Sequence, residues 1–277
     1  MRAILSVLNS PPLFMDGLRT APILSLSFDI IALLCITGLI AGFVDSVAGG
    51  GGLLTVPALL AAGLPPQVAL GTNKLAATFG SFTSSLTFYR KRLFDPLLWR
   101  QALLATAIGA LLGVICVDAI PSGVLEWLLP IAIALTALYS LSLQRSADHP
   151  PRLPQPSPQL HRRQWLQGLG LGFYDGAFGP GTGAFWTLSN IRLHRLSLLH
   201  ATGMTKSMNF VSNICALAAF SWFGHVDLQL GLIMGGAIMV GSFIGSHTAI
   251  HFGARFIRPF FILTVLAMSI YLGWRAW

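Results

Sequence analysis

Apolar residues run along this chain in long blocks separated by short polar or proline-containing gaps, and the pattern predicts a succession of helices. The blocks 67–89, 96–117, 121–143, 198–222, 228–250 and 257–274 are each close to the roughly 20 residues that cross a bilayer. Two further blocks are interrupted. Residues 28–47 lead into Gly49-Gly50-Gly51-Gly52, after which an apolar arm, 53–63, stops at Pro65-Pro66. Helical, that arm is only about 17 Å long, too short to cross alone. Residues 165–178 lead into Gly179-Pro180-Gly181-Thr182-Gly183 and another short arm ending near Ile191. Clustered glycine breaks a helix because it loses the most backbone freedom on ordering.

The two interruptions belong to a repeat. Gly42-Phe43-Val44-Asp45 precedes the first break and Gly172-Phe173-Tyr174-Asp175 the second, an offset of 130 between the aspartates (175 − 45). Lys74 and Lys206 are separated by 132 (206 − 74), as are Asp95 and Asp227 (227 − 95). Gly109-Ala110-Leu111-Leu112-Gly113 and Gly241-Ser242-Phe243-Ile244-Gly245 stand at the same offset, with small residues four apart that suit close helix packing. The expected architecture is therefore an all-α membrane protein, a polytopic helical bundle of two homologous repeats, 28–143 and 164–277. A leader, 1–27, precedes them and shows no cleavable signal peptide. Residues 144–163 carry five prolines and mixed charge, which reads as an extended cytoplasmic linker.

If each break is the tip of a re-entrant hairpin, each half crosses three times and the halves are inverted. If each crosses as one broken helix, the count is four and the halves are parallel. The combined length of block and arm overshoots one bilayer, which favours the hairpin and inversion. The distribution of basic residues does not separate the two, and both put Arg90-Lys91-Arg92 and the linker in the cytoplasm.

Composition narrows the class. Of 277 residues, 54% are hydrophobic and 9% charged, against about 25% charged in soluble domains. The net charge of +8 sits at the ends of apolar blocks, a topology signal that argues against a nucleic-acid partner. Cys35, Cys116 and Cys215 lie inside apolar blocks without metal spacing and read as small buried hydrophobes. The seven histidines fall in the linker or at span ends, so no metal site or cofactor is expected.

Charged groups within hydrocarbon are costly and usually mark a pathway. Lys74 and Lys206 either snorkel to an interface or present fixed positive charge to a central anion. Half-helices beginning after Gly49–Gly52 and at Gly183 would offer unpaired N–H groups and a positive dipole end, a cradle for an anion. Thr55, Thr72, Asn73, Thr182 and Thr205 can add neutral hydrogen bonds. Asp45 and Asp175 either pair with a lysine and cap freed backbone, or take up and release H⁺ during transport.

These paired motifs, with Gly71-Thr72-Asn73-Lys74 and Gly203-Met204-Thr205-Lys206, resemble the TauE/SafE sulfite-exporter family over about residues 30–275. The second lysine motif departs from the first, with Met204-Thr205 where Thr72-Asn73 stands. The resemblance implies a permease for small sulfur-containing anions in the cell membrane, without a nucleotide-binding partner. It also implies a substrate and gating region at Asp45, Gly49, Gly50, Gly51, Gly52, Thr55, Thr72, Asn73, Lys74, Asp175, Gly179, Gly181, Thr182, Gly183, Thr205 and Lys206. The expected mechanism is alternating access, one repeat rocking against the other, with H⁺ as a candidate coupling ion. A passive anion channel and an uptake permease for another small anion are the alternatives within transport. An enzyme is not expected, since no nucleophile–base set stands at workable spacing.

Overall fold

The computed structural model describes residues 28–141 and 153–253. The leader, much of the linker and the block expected at 257–274 lie outside the described residues. Among the described residues there are nine helices and no strand. They are α1 (Phe28–Ala48), α2 (Gly52–Ala61), α3 (Pro66–Arg90), α4 (Arg100–Asp118), α5 (Ser122–Leu141), α6 (Pro158–Ala177), α7 (Thr182–His194), α8 (Leu198–Trp222) and α9 (Leu228–Phe252).

The boundaries follow local chemistry. Ser157 caps α6, accepting from the Leu160 N–H, and Pro158 fills the first helical position, where its missing N–H costs nothing. The cap and the proline together start α6 at Pro158, within the stretch 144–163. Asp227 caps α9 by accepting from Leu230, and its repeat equivalent Asp95 accepts from Leu97 and Leu98 ahead of α4. Gly49 and Gly179, at equivalent positions in the two breaks, have φ of +81° and +85°, left-handed conformations that favour glycine.

Three helices, Ile30–Ala48 of α1, Arg100–Asp118 of α4 and Leu228–Phe252 of α9, are long and apolar enough to cross a membrane. Their outward faces are exposed and oily: Ile36 and Ile40 on α1, Ile108, Leu112 and Ile115 on α4, Val240 and Phe243 on α9. An apolar exterior of this kind suits hydrocarbon and not water. α3 and α8 have 25 residues each, about 37 Å, but carry stripes of Ser, Thr, Asn and Lys. Those stripes face inward.

The packing crosses the sequence halves. The most extensive contacts join α4 to α6 and α9 to α1, followed by α9 to α3 and α3 to α8. A Cβ on Gly42 would lie 2.2 Å from the Ile238 carbonyl oxygen, and one on Gly241 2.0 Å from that of Leu39. The α4–α6 contact repeats this, Gly176 meeting the Ala110 oxygen at 2.1 Å and Gly113 that of Phe173 at 2.2 Å. The small-residue pairs are therefore packing surfaces, with backbones touching.

Two lobes result: α1, α2, α3 and α9 on one side, α4, α6, α7 and α8 on the other. The fourth helix of each half has moved into the other half's lobe, so the sequence halves are not separate packing bodies. Successive contacts show α1, α3 and α9 running parallel, with Gly38 against Met234, Gly42 against Ile238, Gly231 against Leu75 and Gly80 against Ser242. The lobes meet at α3 and α8, which run antiparallel through Ser81–Asn213, Phe82–Phe210 and Ser85–Ser207. α7 returns along α6: Arg163 donates to the Leu193 carbonyl, and Gln167 to Ser189 and Asn190. Arg90, Lys91, Arg92, Arg100, Arg162, Arg163, Arg192 and Arg195 consequently gather at one end, while Asp118, paired with His225 at 2.8 Å, marks the other.

Gly42→Ala or Gly241→Ala should cost about 1–3 kcal/mol by forcing backbones apart. Gly236→Ala, with nothing within 4 Å of its Cβ, should gain about 0.5–1 kcal/mol. Thermal unfolding of the purified protein in detergent separates them; equal losses would contradict the packing account.

Candidate functional site

The two breaks meet between the lobes. A Cβ on Gly49 would sit 2.6 Å from the Gly183 carbonyl carbon, and one on Gly183 2.5 Å from the Gly49 Cα, so backbone abuts backbone there. Gly52 faces Pro180 in the same way. Around this contact lies a cavity of about 40 Å³. At about 10–15 Å³ per water it has room for about three or four waters.

Each break carries one lysine–aspartate pair, and both pairs cross between lobes. Lys74 on α3 donates to Asp175 Oδ1 on α6 at 2.7 Å, to the Asp175 carbonyl at 2.5 Å and to Asn213 Oδ1 on α8 at 3.3 Å. Lys206 on α8 donates to the Asp45 carbonyl on α1 and to Asp45 Oδ2 at 3.3 Å. The lysines are 1% and 0% exposed, so neither snorkels. Both ammonium groups also donate to a backbone carbonyl: that of Asp175, where the intrahelical ladder stops as the Gly179 N–H turns to Tyr174, and that of Asp45, which also accepts from the Gly49 N–H at 2.8 Å.

The pairs are not equivalent. The Asp45 side chain is 22% exposed, and its Oδ1 accepts from the Gly51 N–H at 3.2 Å. It thereby sits on the start of α2, where a bound anion would be favoured. The Asp175 side chain is 5% exposed, and its Oδ2 is buried without a partner. At the second break Thr182 Oγ1 donates instead to the Gly179 carbonyl at 2.7 Å.

Of the residues expected from sequence, Asp45, Gly49, Gly51, Gly52, Thr55, Asn73, Lys74, Asp175, Gly179, Gly181, Thr182 and Gly183 line the cavity. Thr55 donates to Asn73 Oδ1 at 2.5 Å, tying α2 to α3. Gly50, Thr72, Thr205 and Lys206 do not line it. Gly50 packs toward Leu53 and Val44. Thr72 Oγ1 accepts from the Asp227 N–H at 2.9 Å and so holds the α8–α9 turn. Thr205 faces α7, within 3.0 Å of Thr187 Oγ1. Lys206 meets the site only through Asp45.

Ser81, Asn209 and Asn213 also line the cavity and were missed. Lys206, Asn209 and Asn213 follow the three-then-four spacing of one helix face, a signal readable beforehand. Their equivalents beside Lys74, at the 132 offset, are Ala77 and Ser81, so α8 brings amides where α3 brings small groups. No group of three or more potential metal ligands occurs among the described residues.

An oily helical exterior around a charged centre between two lobes is the build of a polytopic membrane transporter. The family profile described as "Sulfite exporter TauE/SafE" matches residues 34–272, and the chain belongs to that family. Relatives include a "Probable membrane transporter protein ORF9" of Sinorhizobium sp., 38% identical over 88% of this chain and 93% of its own length. A "Probable membrane transporter protein" of Haemophilus influenzae is 34% identical over 89% and 95% of the two chains. "Probable membrane transporter protein YfcA" of Escherichia coli K12 is 35% identical over 87% and 88%. No solved structure matches.

Lys74→Met alone should cost about 3–5 kcal/mol, because it strands a buried carboxylate. Lys74→Met with Asp175→Leu should recover most of that loss. Thermal unfolding of the single and double variants measures the coupling; additive losses would mean that the pair does not act as a unit.

Proposed function

We propose that the protein is a secondary transporter of a small sulfur-containing anion, of the sulfite or organosulfonate class, working by alternating access in the cell membrane. The observation that carries this reading is the pair of lysine–aspartate bridges crossing between lobes at the two helix breaks. A carboxylate held by a buried lysine occupies the kind of place that a solute anion would take. Displacing it gives the solute a cation and, at α2, a helix start.

The architecture proposed with it is two inverted repeats, each with a re-entrant hairpin. α3 and α8, equivalent by the 132 offset, run antiparallel, as a two-fold axis in the membrane plane requires. α2 and α7, at 10 and 13 residues, are too short to cross a bilayer. The clustered arginines favour a cytoplasmic face at the end of the molecule that carries them. The moving bodies are the contact-defined lobes, because backbone packing welds α9 to α1 and α4 to α6. Protonating either aspartate would release its lysine, which gives H⁺ a direct route to coupling. A centre with room for only about three or four waters argues against a wide standing channel.

Proteoliposomes should accumulate sulfite or a small sulfonate when a pH gradient is imposed. Lys74→Met and Lys206→Met should each lower that flux at least about tenfold, the loss of one charge-assisted contact in the rate-limiting complex. Flux that only dissipates gradients would indicate a channel, and no anion flux at all would refute the proposal.

A further inference from the structure

Asp175 and Asn209 both line the central cavity, and each holds one buried oxygen, Oδ2 and Oδ1 respectively, that no protein group pairs. Buried acceptors left unpaired are costly and rare in native structures. The same cavity holds the Lys74 ammonium, a donor already shared among Asp175 and Asn213. Such a site has two needs at once: negative charge for the lysine and a donor for the orphan oxygens. A fully deprotonated oxyanion meets only the first, and it brings two charges against the Asp175 carboxylate.

Taking the anion-transporter reading as its basis, we infer that the site selects an acid anion. This is a singly charged oxyanion that still carries an O–H, such as the hydrogen form of sulfite, taken in preference to the dianion. The ligand's oxygens face Lys74, and its hydroxyl donates to the acceptor side of the cavity, toward Asp175 and Asn209. The solute then carries a proton of its own, beside any that the aspartates exchange, and Asp175 is the group that reads it. Sites built to accept a hydrogen bond reject analogues without the donor strongly, because a buried group is left unpaired.

The charged groups around Asp175 are few. Lys74 faces it from α3, while Asp45 on α1 and Lys206 on α8 form the companion pair; α7 brings Thr182 and Gly183, and α9 brings Ile238. A pH dependence of binding therefore arises from these four ionisable groups or from the ligand, and the two sources are separable. Sulfite and selenite share a pyramidal shape, yet selenite retains its O–H to higher pH.

The experiment measures equilibrium binding of sulfite and of selenite to the purified full-length protein across neutral to alkaline pH, with sulfate as a dianion control. The expected result is affinity that falls at least about tenfold as each anion loses its proton, with selenite's midpoint at the higher pH, and weak sulfate binding throughout. In Asp175→Asn, the preference for the acid anion over the dianion should collapse. A common midpoint for both anions, an absent pH dependence, or sulfate bound as well as the acid anions would overturn the inference while leaving an anion carrier intact. Failure of every anion to bind at any pH would overturn the carrier reading itself, and this inference with it.

Discussion

Burying an ammonium group inside a membrane protein is tolerable only when a carboxylate and good hydrogen bonds accompany it. That requirement organises this molecule. Lys74 and Lys206 each reach an aspartate on the first helix of the opposite half, and the partner must come from there because each lysine lies on the seam between lobes. The glycine breaks make the pairing geometrically available. They end α1 and α6 inside the protein, bring two carbonyls within reach of the ammonium groups, and let Gly49 and Gly183 touch.

The rest of the fold holds this centre in place. α3 and α8 are too polar to face lipid along their lengths, so the apolar helices α1, α4 and α9 flank them. Glycine-lined contacts bring α9 onto α1 and α4 onto α6 so closely that a single added methyl would collide with a carbonyl oxygen. The α3–α8 seam is different in kind. It carries Ser85–Ser207, Ser81–Asn213 and a tilted Phe82–Phe210 pair, contacts between side chains that can part and re-form.

Much of this was readable in the residues, and what was not has physical reasons. The broken helices and the glycine packing surfaces followed from spacing, since helix geometry maps sequence distance directly onto a face. Which lysine meets which aspartate did not, because the partners lie 101 and 161 residues apart in opposite halves and meet only through tertiary packing, which has no local signature. Thr72 was grouped with Lys74 by proximity in sequence. At about 100° per residue it lies some 200° around the helix, and the structure finds it holding the Asp227 turn. Asn209 and Asn213 were overlooked because the first repeat has Ala77 and Ser81 in their places, so the comparison that revealed the lysines concealed the amides. Cys116 was expected to be buried and is exposed, on a helix whose outer face is apolar. In a membrane protein, hydrophobicity cannot separate core from lipid-facing surface.

The account turns on which bodies move, and cross-linking addresses that directly. In a variant without Cys35, Cys116 and Cys215, one cysteine pair would replace Ser85 and Ser207 across the seam, where the hydroxyls are 2.8 Å apart. A second pair would replace Ser46 and Ser242, which join different sequence halves within one lobe, the Ser46 hydroxyl donating to the Ser242 carbonyl at 3.1 Å. Anion flux into proteoliposomes should stop when the first pair is oxidised, return on reduction, and persist when the second is oxidised. Continued flux with the seam locked, or arrest by the bond within one lobe alone, would contradict it.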